Sequence, residues 1–203
     1  MEGYRYDHGW SPDRKVYFVL KSDVKIQKLT LYDNDVKTLR LQLKSKSVKG
    51  ILDFGNANRV LLKVALSPVS IANALENMEA EVPGWNFEQV ETASRYAWNA
   101  QLGKIKVQAL NDRARKIFYT SLYHTMIDPS LYCDVNGQYR GMDDMIYTDP
   151  AKANYTTLSL WDTYRAWNPL MTLIQPGLVP HLVNSLISIY RQQDKLPIWP
   201  LWN

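Results

Sequence analysis

An indole, a carboxylate and a guanidinium lie close together at Trp161, Asp162 and Arg165, in the run Asn-Tyr-Thr-Thr-Leu-Ser-Leu-Trp-Asp-Thr-Tyr-Arg from Asn154 to Arg165. On a helix that spacing is about one turn. An indole covers the flat face of a pyranose, while Asp162 accepts hydrogen bonds from sugar hydroxyls and Arg165 donates to them. The bland alternative is a helix with a buried indole and a local (i, i+3) ion pair. Asp143, in Gly141-Met142-Asp143-Asp144, either lines the same pocket or caps a turn. Trp199 and Trp202, in the closing Pro-Ile-Trp-Pro-Leu-Trp-Asn, either floor a sugar site or pack under a loop. As reacting carboxylates Asp143, Asp144 and Asp162 are the nominees, Asp162 first. A sugar-gripping set followed by an aromatic loop predicts a piece of a carbohydrate-active enzyme rather than a complete one.

Composition agrees with a folded protein that has aromatic surplus. The 203 residues are 46% hydrophobic and 22% charged, with seven Trp and thirteen Tyr against four Phe. Net charge is +6 across residues 1–68, −2 across 69–110 and zero across 111–203. The front excess comes from lysines alternating with apolar residues, as in Leu39-Arg40-Leu41-Gln42-Leu43-Lys44, which is how the solvated face of a strand reads. Without a basic run or a recognised module, no nucleic-acid partner is predicted. The single Cys133 excludes an internal disulfide and a cysteine-rich metal site, and reads as a small loop residue. No apolar signal core opens the chain, and no apolar run approaches the roughly 20 residues of a membrane span.

The elements that must position these residues change character along the chain. Strands are expected at Lys15–Leu20, Val24–Tyr32, Leu39–Leu43, Val48–Phe54 and Arg59–Ser67, separated by Asp33-Asn34-Asp35 and by Gly55-Asn56-Ala57-Asn58. Ser67 as N-cap and Pro68 at the first position predict a helix through Glu81. A second helix opens at Asn86, with Gln89 as a capping partner, and ends at Gly103. Ile105 and Val107 suggest a short strand. A helix over Asp112–Asp128 carries Ala114, Ile117, Phe118, Leu122 and Thr125 on one face. Residues 129–156 read as a long polar loop, functional or disordered. A helix over Ser159–Trp167 breaks before Pro169, and a last one spans Val179–Gln193. His124 reads as a hydrogen-bonded core histidine rather than a ligand, and Trp85 and Trp98 as packing residues. Asn154-Tyr155-Thr156 fits a glycosylation acceptor pattern.

In series the chain resembles glycoside hydrolase family 92, the calcium-dependent exo-acting α-mannosidases. The matching stretches are Val64-Ala65-Leu66-Ser67-Pro68-Val69-Ser70-Ile71, Glu79-Ala80-Glu81-Val82-Pro83-Gly84-Trp85, Ala97-Trp98-Asn99 and Ile117 to Thr125. To these add Asp134 to Asp143, Trp161 to Arg165, and Lys195 to Trp202. They cover nearly all of residues 60–203 in order. The resemblance implies a β-then-α chain: residues 1–68 as the C-terminal part of a β-sandwich, 69–110 as a helical linker, and 111–203 as the first helices of an incomplete (α/α)6 barrel. It gives Asp162 a binding role at the terminal mannose and favours Trp161 and Arg165 as further substrate contacts; Asp143 is the remaining candidate contact, open between lining that pocket and capping its turn.

The activity implied by the resemblance is that of an inverting α-mannosidase acting on terminal α-mannosides of mannose-containing glycans. The resemblance places the catalytic acid and base downstream, so no catalytic residue is expected in this segment and the segment alone should be inactive. Calcium is implied as cofactor, with most of its ligands outside these residues. The parent protein is expected to be periplasmic or secreted, with any signal upstream. The rival expectations are a non-catalytic carbohydrate-binding or scaffold fragment and another (α/α)6 hydrolase acting on a different sugar. Linkage preference and oligomeric state stay open.

Overall fold

Residues 1–9, 11 and 13–201 are described by the structure, a computed structural model. Six strands come first: β1 (Glu2–Asp7), β2 (Arg14–Ser22), β3 (Lys28–Asp33), β4 (Val36–Thr38), β5 (Val48–Asp53) and β6 (Leu62–Ser67). Then come α1 (Ile71–Glu81), α2 (Phe87–Leu102) and α3 (Asp112–His124), followed by four short strands, β7 (Ser130–Leu131), β8 (Gln138–Arg140), β9 (Ile146–Thr148) and β10 (Tyr155–Thr156). The last elements are α4 (Leu160–Thr163), α5 (Trp167–Ile174) and α6 (Val179–Gln193). The order is β then α, as expected. The chain divides into two compact units, one of Met1 with Leu20–Val64 and one of Glu2–Val19 with Ala65 onward.

In the first unit β3 pairs with β4 and β5 to give the order β4-β3-β5. Asn34 and Asp35 form the two-residue turn between β3 and β4, both at positive φ (45° and 73°). That is the mirror-image turn whose twist matches the strands, and Asn and Asp tolerate it. The alternating Leu39-Leu41-Leu43 run is not a strand. Leu39 and Leu41 stand 95% and 75% exposed. Alternation makes a strand only where a neighbour pairs with it and a layer covers its apolar face, and among the described residues neither is supplied. β3 also begins later than expected, at Lys28 rather than Val24.

The second unit contains a strand the periodicity did not predict, β1, which pairs with β2 from Glu2↔Val19 to Asp7↔Arg14. A core forms around Val19, Ala74 and Met78, with Ala65, Ile71 and Leu75 packed against it. The α1 start is shifted from the expected Ser67-Pro68 to Ser70, whose side chain accepts from Asn73 N–H. Ser67 is buried instead, accepting from the Val69 and Ser70 N–H groups and donating to Asp134 at 2.7 Å. Pro68 favours extended backbone at Ser67, so the helix begins after the turn rather than within it. Asn86 caps α2 through Gln89 N–H, as expected, at 2.9 Å. Ile105 and Val107 form no strand; the Ile105 carbonyl accepts from the Tyr119 hydroxyl at 3.2 Å. α3 stops at His124, and the Thr125 carbonyl receives Trp167 Nε1–H at 2.6 Å, tying α5 to the α3 end.

The segment 129–156 is folded. β10 pairs with β7 (Thr156↔Ser130) and β9 with β8 (Tyr139↔Tyr147). Its anchor is Asp134, 3% exposed. The carboxylate accepts from Ser67 Oγ and Asn73 Nδ2 at Oδ2 (2.7 and 2.8 Å) and from Asn77 Nδ2 at Oδ1 (2.7 Å). Asn77 Oδ1 in turn accepts from Val135 N–H at 2.9 Å. Three donors from the β6–α1 region thus fasten the hairpin to α1, since a buried carboxylate is tolerated only when hydrogen-bonded.

Candidate functional site

Trp161, Asp162 and Arg165 sit where the chain turns from α4 into α5. The expected single helix over Ser159–Trp167 is instead the four-residue α4 and a turn at 164–166, with α5 running on through Pro169. Pro169 is the third residue of α5, where N–H groups have no partner within the helix, so the ring removes no bond there. All three candidate side chains are exposed, Trp161 at 72%. The indole is not buried, and among the described residues no Asp162–Arg165 ion pair forms. Asp162 Oδ2 accepts from Ser159 Oγ at 2.6 Å, which holds the carboxylate beside the first turn.

The aromatic loop lies alongside this turn. Leu158 N–H donates to the Pro200 carbonyl at 3.2 Å and Leu160 N–H to the Ile198 carbonyl at 3.1 Å. Residues 198–200 therefore run beside 158–160, and Trp199 within that run is half-exposed. Trp202 lies outside the described residues.

Asp143 stands at the tip of the β8–β9 hairpin. Gly141 N–H donates to the Met145 carbonyl at 2.8 Å and Asp144 N–H to the Gly141 carbonyl at 3.0 Å, with Asp144 left-handed at φ 66°. A type I turn followed by a left-handed residue is a common three-residue hairpin connection. The two neighbouring carboxylates part company. Asp144 pairs with Lys15 and, at 3.0 Å, with Arg140. Burial would raise its pKa, but Lys15 and Arg140 outweigh that and hold it below the usual carboxylate range. Buried Arg140 also donates through Nε to the Pro68 carbonyl at 3.0 Å. Among the described residues Asp143 accepts from neutral donors, Tyr147 Oη–H at 2.6 Å and Met145 N–H at 3.1 Å. The turn-capping expectation for Asp143 is thus met, and its carboxylate remains exposed. No hydrogen bond or ion pair joins Asp143 to Asp162 or Arg165 among the described residues. The hairpin tip and the α6 end are joined, since Met142 N–H donates to Gln192 Oε1 at 3.0 Å.

Residues 73–203 match the glycosyl hydrolase family 92 catalytic domain. The chain belongs to that family. A family GH92 α-mannosidase of Bacteroides thetaiotaomicron shares its fold over 99% of this chain, with TM-score 0.88 and 32% identity, in two structures of which one is a complex with mannoimidazole. This chain covers 29% and 28% of those chains. A family GH92 inverting mannosidase of Bacteroides thetaiotaomicron VPI-5482 shares the fold over 98% of this chain at TM-score 0.84 and 24% identity, with 28% of that chain covered. An uncharacterised secreted glycosidase of Arthroderma benhamiae is 32% identical over 117 residues, which are 55% of this chain and 14% of that protein. The chain therefore spans less than a third of the length of each of these relatives. No helix among the described residues is long and apolar enough to cross a membrane.

Family membership gives scale to the residues that sequence reasoning misjudged or passed over. His124 is exposed at the α3 end, its ring 5.7 Å from Tyr123, and is not a core histidine. Trp98 packs on α3 through Tyr123, at 4.6 Å between ring centres. Asn154 of the glycosylation-like triplet is buried, 8% exposed, and its main-chain carbonyl accepts from Tyr132 N–H. Cys133 is half-buried, and burial pushes its thiol up. Asp134, Tyr147 and Gln192 were missed as organising residues. The one sequence signal was Asp134-Val135-Asn136-Gly137, a turn cluster that gives no hint of burial.

Proposed function

We propose that this chain is part of an exo-acting, inverting α-mannosidase that hydrolyses terminal α-mannosides of glycans. What supports the reading most is the shared fold and 32% identity with an α-mannosidase whose structure includes a mannoimidazole complex. On this reading residues 1–68 end a β-sandwich, 69–110 link, and 111–203 begin an (α/α)6 barrel. Trp161 covers a face of the terminal mannose, Asp162 and Arg165 hold its hydroxyls, and Asp143 adds a carboxylate from the hairpin tip. Exposure of all four side chains leaves them free to meet a sugar.

Inversion needs an acid on the leaving oxygen and a base that activates water, with carboxyl groups about 6.5–9.5 Å apart. The family resemblance puts the acid and base in a later part of the parent protein, so on this reading the chain alone is inactive. Calcium binds about six to eight oxygen ligands. The described residues hold no group of three or more His, Cys, Asp or Glu side chains placed to share a metal ion. Most calcium ligands are assigned to the rest of the protein, as the family resemblance implies. The parent acts outside the cytoplasm, in the periplasm or after secretion.

The test is hydrolysis of an aryl α-mannoside by the full-length protein, with and without chelator. Turnover with inverted product, lost on chelation and restored by calcium, is the expected result. A well-folded full-length protein that binds mannose without turning over any α-mannoside would be a binding protein, and the reading fails.

A further inference from the structure

The Asp143 carboxylate is oriented by a chain of side chains that runs back into α6. Tyr147 donates to Asp143 Oδ2 at 2.6 Å, and its ring stacks on Tyr139, its partner across the hairpin, with ring centres 5.9 Å apart at 28°. Tyr139 is buried, and its hydroxyl accepts from Gln192 Nε2–H at 3.2 Å. The other end of the same amide accepts from Met142 N–H at 3.0 Å. Gly141 lies where these groups converge. A Cβ there would stand 2.7 Å from the Tyr147 ring, 2.8 Å from Asp143 Oδ1 and 2.9 Å from Gln192 Cδ. Only a residue without Cβ lets all three approach one point of backbone.

The neighbouring Asp144 pairs with Lys15 and Arg140, while the partners of Asp143 among the described residues are neutral donors. A carboxylate offers about four lone-pair sites, and two are in use. Its charge and its remaining lone pairs stay open to sugar hydroxyls while its rotamer is fixed. Orientation before binding removes part of the ordering cost of association.

We propose that Tyr147 is the positioning residue for Asp143, itself held by Tyr139 and by Gln192 of α6. The proposal rests on the reading of Asp143 as a mannose contact. The hydrogen bond also raises the Tyr147 hydroxyl above its ordinary pKa, as a phenol that donates to a carboxylate must be.

The experiment uses the full-length protein and an aryl α-mannoside. Tyr147→Phe keeps the ring on Tyr139 and removes only the donor. The expected result is a KM raised about 10-fold at unchanged kcat, the size of one hydrogen bond to a charged group. Asp143→Ala should raise KM at least as much, and the double variant should be no worse than Asp143→Ala alone. A normal KM in Tyr147→Phe beside a raised one in Asp143→Ala overturns the positioning role and leaves the mannose contact standing. Normal KM in both overturns the contact, and the positioning role with it. Additive losses in the double variant, or a fall in kcat together with a melting temperature lowered by more than about 5 °C, mark Tyr147 as acting on its own or as merely structural, and overturn the proposal.

Discussion

Asp134 accepts side-chain hydrogen bonds from Ser67, Asn73 and Asn77, all at 2.7–2.8 Å. Replacing it by alanine removes the acceptor of buried Ser67 Oγ–H and of one N–H each of Asn73 and Asn77, whose amides keep Gln138 and the Leu66 carbonyl, at about 1–3 kcal/mol for each bond left unmade before relaxation. Asp134→Ala should therefore lose about 3–5 kcal/mol of stability by urea unfolding. A loss near zero would mean that α1 and the hairpin hold together without it. Asp162→Ala should behave in the opposite way. Its carboxylate is exposed, with Ser159 as its one hydrogen-bond partner among the described residues, so stability should change by no more than about 0.5 kcal/mol. Mannose affinity by calorimetric titration of the full-length protein should be lost. Sequence named both aspartates, one within a matching stretch and one as a sugar contact. Which of them is sealed inside could not be read, because its donors come from positions 57 to 67 residues away.

Where local chemistry decides an element's ends, as in α2 and α6, the sequence was legible. α6 spans Val179–Gln193 as expected, with Pro180 in the first turn and Asp194 left-handed at the end. Asn86 caps α2, a 16-residue helix with no buried residue. With little packing to hold it, Asn86→Ala should cost about 1 kcal/mol, read as lost helicity by circular dichroism before global unfolding. Ion pairs set the acid limit of two hairpins. Asp7 is lowered chiefly by its hydrogen bonds from Arg14, across the end of β1–β2, and Asp144 is lowered by Lys15 and Arg140 at β8–β9. A carboxylate whose folded value lies below its unfolded one, about 3.9, adds stability above that pH and loses it as pH falls through the folded value. The melting temperature should stay flat from pH 7 to about 5 and fall below about 4. Asp7→Asn and Asp144→Asn should each lower the neutral plateau and flatten the acid slope. Two expected strands that do not form, Leu39–Leu43 and Ile105–Val107, have one cause: a strand depends on a neighbour that its own residues do not specify.

At the scale of the whole chain, apolar side chains stand in water in every region. Leu39, Leu110, Trp161 and Leu173 are all more than 70% exposed. Exposed apolar surface of that extent marks either an interface or a tendency to aggregate. The 203 residues expressed alone should self-associate at micromolar concentration, measured by size-exclusion chromatography with light scattering. A monodisperse monomer that melts cooperatively would contradict this.

Sequence by itself determined the family, the change from strands to helices near residue 68, the caps, and the residue types that suit a sugar. Each of these rests on local pattern or on motifs in serial order. Only the tertiary structure decided that 198–200 runs beside 158–160, that Asn154 is enclosed, and that His124 is exposed. It alone also separated Asp143 from Asp144, giving one a tyrosine and the other two cations. Burial and side-chain partners are set by elements far apart in the chain. Neighbouring residues with the same chemistry therefore acquire different work only once those elements meet.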